Sequence, residues 1–108
     1  MSLLQCPFLG IGVELTDERE RHIAEHHPDL LPEHRDKIAG TLADPDQIRR
    51  SARFRAAKVF SKMYTDLRDG KHVVVVVVGD ETPPRRHWVI TAYMTRRLAE
   101  GEVQWKRA

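Results

Sequence analysis

Residues 71–78 read KHVVVVVV, and this run decides the fold. β-Branched residues favour extended backbone, and a strand with one wet face would alternate apolar and polar side chains. Six valines without a break therefore predict a strand buried on both faces, in the middle of a sheet. Burying each is worth roughly 1.5–3 kcal/mol. If helices cover one face, the other needs cover too, from residues 3–15 or from a second subunit in a homodimer.

Working outward, Asp69-Gly70 is a turn signal before the run, and Gly79 to Pro84 form a loop after it. QIRRSA (47–52), AKVFSKMY (57–64), RHWVITAYMT (86–95) and a short VQWK after Gly101 read as further strands. The first half of the chain has a different period. Thr16 followed by Asp17 and Glu18 is an N-cap with acids opposing the helix dipole, so a helix should run from Asp17 to about His26. Pro28 disfavours helical backbone at His27. A second helix starts at Leu31-Pro32, buries Ile38, Ala39 and Leu42, and stops at Asp44-Pro45-Asp46. The expectation is α+β: two N-terminal helices packed on a twisted antiparallel sheet of four to five strands. Residues 1–15 form an N-terminal arm or strand, and 16–108 a single domain.

At 108 residues one core is the economical solution. Lys and Arg number 18 against 16 Asp and Glu, a net charge of +2, so any anion site must come from local clustering. The arginines at 49, 50, 53 and 55, the pair Arg85-Arg86 and the pair Arg96-Arg97 are such clusters, and each equally suits a solvated face. The single cysteine, Cys6, allows no intrachain disulfide and fits a reducing, cytoplasmic setting. The apolar N-terminus reaches Glu14 well short of the ~20 residues a membrane span needs, so no membrane is expected.

HIAEHHP, residues 22–28, concentrates three of the six histidines. His22 and His26 are spaced i, i+4 on one helix face, a spacing that suits zinc. A zinc site needs three or four protein ligands, and none follows at a recognised spacing, so neither metal nor another cofactor is expected. His27 falls on a stripe with Ile23 and Leu30 and aims at the sheet, while His26 points to solvent. On the residues alone, His22 and His27 serve as well to finish a helix as to carry protons. Thr91 and Tyr93 share a strand face with Val89 and Thr95, while Trp88, Ile90, Ala92 and Met94 face the helices. Two hydroxyls on a polar strip can donate to a phosphate, although both residues are also ordinary strand formers. Lys58, Phe60, Lys62 and Tyr64 alternate onto one face, the footprint of single-stranded nucleic acid or of an edge strand guarded by lysines.

ERERHIAEHHPDL, TLADPDQI, KVFSKMY, the valine strand and WVITAYMT, in this order, resemble the phage and bacterial nuclease-like domains grouped with barnase, EndoU, certain colicins and RelE. The resemblance spans about residues 16–106. It implies a metal-independent ribonuclease working through the RNA's own 2′-hydroxyl, with catalytic His22, His27, Thr91 and Tyr93. Substrate would meet Lys58, Lys62, Phe60, Tyr64 and Arg50. RNA is then the partner, and an inhibitor or immunity protein is a second one that domains of this kind attract. Two other readings stand beside it: a non-catalytic nucleic-acid or protein binding module on the same fold, and a zinc hydrolase using His22 and His26. Convergence of His27 with Thr91 and Tyr93 would favour the enzyme.

Overall fold

The computed structural model describes residues 1–53, 56–67, 69–98 and 101–108. In chain order come β1 (Ser2–Leu4), β2 (Val13–Leu15), α1 (Asp17–His26), α2 (Arg35–Ala43), β3 (Gln47–Ser51), β4 (Lys58–Tyr64), β5 (Lys71–Asp80), β6 (Arg86–Thr95) and β7 (Gly101–Lys106). The class is α+β. The strands form one sheet ordered β1-β2-β6-β5-β4-β3-β7, with the valine strand β5 in the middle.

The sheet corrects the expected four to five antiparallel strands. Among the described residues it has seven, and it is mixed, because β2 pairs in parallel with β6 at His87 and Trp88. The additional strands come from residues 1–15, which enter the sheet instead of lying across it as an arm. Strands of three residues are too short for alternation to show in a sequence.

The first helix has the expected bounds. Thr16 accepts a hydrogen bond from the Arg19 amide at 3.2 Å, and Asp17, Glu18 and Glu20 occupy the first turn. The second begins at Arg35, later than Leu31-Pro32, because residues 28–34 are spent in turns closed by hydrogen bonds such as His34 N–H to Leu30 O at 2.7 Å. No helix among the described residues is long and apolar enough to cross a membrane.

Both faces of β5 are covered. Val73, Val75 and Val77 join Ile23, Ile38, Leu42, Phe60 and Val89 in the main core beneath the helices. Val74 and Val76, on the other face, are 1% and 8% exposed within a single chain. Their cover corrects the expectation about residues 3–15. Leu4, Cys6, Val13 and Leu15 belong to the helix-side core, whereas Ala57, Val59, Ile90, Tyr93 and Leu98 pack around Val74 and Val76. Leu98, which follows β6 in sequence, is among them.

The alternation of β4 is as expected, but its orientation is not. Lys58, Phe60, Lys62 and Tyr64 pair with Val77, Val75, Val73 and Lys71, which puts them on the helix side. Phe60 is fully buried, with the Phe8 ring edge-on at 6.2 Å. Tyr64 donates to the Lys37 carbonyl at 3.1 Å and packs on the core. Neither ring is a platform for bases. Period-two patterning says which residues share a face, not which face the helices take. We expect Phe60→Ala to cost about 3–5 kcal/mol in urea denaturation, as large-to-small core changes do. Met63→Ala, on the partly exposed face, should stay within about 0.5 kcal/mol.

Candidate active site

The site is built where α1 runs beside β6. Because β2 pairs with β6 only at its start, the strand edge beyond is left to the helix. Arg19 Nη1 donates to the Ile90 carbonyl at 3.4 Å near the start of α1. At its end the His27 ring lies 5.9 Å, centroid to centroid, from the Tyr93 ring, at 38° between planes. The two residues are 66 positions apart in sequence, and it is the packing of α1 along β6 that brings their rings together.

His27 is held there by its backbone. It is the C-cap of α1, with φ −132° and ψ 64°, outside helical geometry as Pro28 demands. Its N–H donates to Ile23 O at 2.7 Å, and its carbonyl accepts from Leu30 and Leu31 at 3.0 and 3.3 Å. The carbonyl that ends one helix therefore anchors the turn leading to the next. His22 and His26 make a different pair. Their rings stack at 4.2 Å, and His26 Nδ1 bonds the His22 carbonyl at 2.9 Å with the ring exposed. Among the described residues no group of three or more His, Cys, Asp or Glu is arranged to hold a metal.

Thr91 and Tyr93 pair with Val76 and Val74, so both project from the helix-free face, Tyr93 half-buried. Burial pushes the Tyr93 phenol up from its ordinary pKa, so it keeps its proton and donates at neutral pH. The rest of the strand departs from simple alternation. The register with β5 shifts between Val76 and Val77, leaving Ile90 as an extra residue. Val89, expected beside Thr91, turns into the helix-side core, and Trp88, expected there, emerges in line with Thr91 and Tyr93.

The residues assigned to substrate do not join this site. Lys58, Phe60, Lys62, Tyr64 and Arg50 all lie on the helix side, separated from Tyr93 by β5 and the thickness of the sheet. Lys62 Nζ donates to the Asp44 carbonyl at 2.9 Å and to its carboxylate at 3.3 Å. Lys58 donates to Gln104 at 2.9 Å, and Arg50 is paired with Glu102. In the arginine clusters, Arg85 pairs with Glu81, Arg86 with Glu14 and Arg96 with Asp69. Arg55 lies outside the described residues.

Two arrangements escaped sequence reading. His87, 5% exposed, bonds Glu81 through Nε2 at 2.9 Å and packs on Gly79, where an added Cβ would come within 2.0 Å of Nδ1. The other is the cleft of about 470 Å³ where Arg19, Arg86 and Trp88 meet. Nothing in the local pattern signals either, since the partners are brought together by strand pairing and the bulge.

Lys62 belongs instead to an ionic clasp in which it and Arg107, just after β7, meet Asp44 and Asp46. Arg107 and then Lys62 hold the Asp44 carboxyl below its ordinary value of 3.8. A lowered folded pKa contributes stability above the unfolded value that is lost as pH falls below it. Asp44→Asn should therefore flatten the decline of melting temperature below about pH 4, measured against the wild type.

Comparison with family models, with curated proteins and with solved structures finds no match for this chain.

Proposed function

We propose that the chain is a metal-independent endoribonuclease, with RNA as substrate and the chemistry at His27 and Tyr93. The observation that carries this reading is the approach of the two rings, one fixed by a helix cap and the other by the sheet. An imidazole has an unperturbed pKa near 6.5, so in general a histidine exchanges protons readily at neutral pH. In the proposed reaction His27 takes the proton of the 2′-hydroxyl. The O2′–P bond forms as the P–O5′ bond breaks, and the departing oxygen receives a proton from Tyr93. Thr91, on the same strand face, donates to a phosphoryl oxygen. The proton then returns from His27 to Tyr93 through water, leaving a 2′,3′-cyclic phosphate and a 5′-hydroxyl. The resemblance of HIAEHHP and ITAY to the barnase, EndoU, colicin and RelE group supports the same assignment. A buried lone thiol at Cys6 suits a reducing compartment such as the cytoplasm.

A second reading, a nucleic-acid binding module that does not cut, is favoured by one feature. The His22 ring stacks on His26, and no hydrogen bond or ring contact ties it to Thr91 or Tyr93 among the described residues.

The deciding experiment is incubation of the purified protein with single-stranded RNA in the presence of a chelator. Cleavage to cyclic-phosphate ends is expected. His27→Ala and Tyr93→Phe should each lower the rate by about 10²-fold or more with the fold intact, as general acid–base groups do. His26→Ala should change it little. Equal rates for the His26 and His27 variants would leave the binding module as the better reading.

A further inference from the structure

The bulge in β6 turns Val89 into the main core, and by the same shift it decides where Trp88 points. Trp88 and Tyr93 are five positions apart, an odd interval that would put them on opposite faces of a regular strand. With Ile90 as the extra residue, Trp88 pairs with Val78 and Tyr93 with Val74, so both rings project from the same face. Bulges that re-aim a side chain beside a functional site are a recurrent device.

Trp88 forms one wall of an open cleft of about 470 Å³, lined also by Arg86 and by Glu18 and Arg19 from α1. Its electrostatics say what it can take. Arg86 Nε and Nη2 grip both carboxylate oxygens of Glu14 at 3.0 and 2.9 Å, and its guanidinium lies over the Trp88 ring at 5.5 Å. Arg19 pairs with Glu18 at 2.9 Å and donates to the Ile90 carbonyl. Both arginines have carboxylate partners already, and a phosphate entering here would face Glu14 and Glu18. A flat, neutral group meets no such opposition and gains from the indole and guanidinium planes.

The cleft also has a fixed place relative to the reacting pair. From Arg19 to His27 is about 12 Å along the helix. From Ile90 to Tyr93 is about 10 Å along the strand. The seam where α1 packs along β6 therefore has the cleft near one end and the His27–Tyr93 pair near the other.

We infer that the cleft of Trp88, Arg86 and Arg19 is a nucleobase subsite for single-stranded nucleic acid, holding the base of a nucleotide that neighbours the phosphate at His27 and Tyr93. It rests on the ribonuclease reading for what occupies the other end of the seam. Stacking without edge-specific hydrogen bonds makes it tolerant of sequence.

The chain has two tryptophans, and Trp105 is remote on the edge strand β7, so Trp105→Phe leaves Trp88 as the sole indole reporter. In that background a short single-stranded oligodeoxynucleotide, which lacks the 2′-hydroxyl and so resists the proposed cleavage, should quench the fluorescence on titration. Trp88→Ala should weaken binding of the same oligonucleotide, followed by anisotropy of a 5′ label, by about 5- to 150-fold, the range set by one base–aromatic stack. Trp88→Phe should recover part of the loss at unchanged melting temperature, which a merely structural tryptophan would not produce. Unquenched fluorescence at saturation, or equal affinity in Trp88→Ala, would overturn the subsite. The ribonuclease reading fails separately: quenching that persists in a protein unable to cut RNA removes the chemistry and keeps the cleft. RNA cleavage that depends on His27 but not on Trp88 does the reverse.

Discussion

Five valines in succession, Val73 to Val77, are buried on both sides of one strand, and the architecture follows from having to cover both. The two helices and residues 4–15 close one side. The other is closed by smaller means, with Ala57 and Leu98 packed around Val74 and Val76. This unequal cover leaves the outer parts of the helix-free face accessible. It is there, on β6, that Trp88, Thr91 and Tyr93 stand in line.

The candidate site depends on two backbone events more than on any side-chain bond. Pro28 turns the chain out of α1, so His27 ends the helix while its carbonyl starts the next turn. The bulge near Ile90 supplies the second event by changing which residues of β6 face outward. The first places His27 and the second re-aims Trp88, both along the β6 edge that the short β2 leaves open.

Charge is spent mainly on holding the edges of the molecule together. Lys62 and Arg107 converge on Asp44 and Asp46, Arg50 meets Glu102, and Arg86 meets Glu14. The clasps on β3 and β7 and the one between β2 and β6 join strands that are distant in sequence. Exposed pairs of this kind contribute little stability individually. Of the cations that looked like a phosphate-binding surface, Lys62, Arg50, Arg85, Arg86 and Arg96 already have carboxylate partners, and Lys58 donates to Gln104.

What the sequence by itself determined is what acts locally. The valine run specified a central strand through burial on both faces, Thr16 and the acids after it specified where α1 begins, and Pro28 specified that His27 falls at its end. The pairing of His27 with Tyr93 was legible only as a question, since a helix stripe and a strand face can be read separately but not docked. Tertiary structure alone decided that Phe60 and Tyr64 face the core, that Val13–Leu15 pairs in parallel with β6, and that Trp88 emerges beside Arg86 and Glu14. The physical reason is range. Glu14 and Arg86 are 72 positions apart, and a bulge inserts one residue into a ladder whose register no local pattern records, so the face each side chain takes exists only once the sheet has formed.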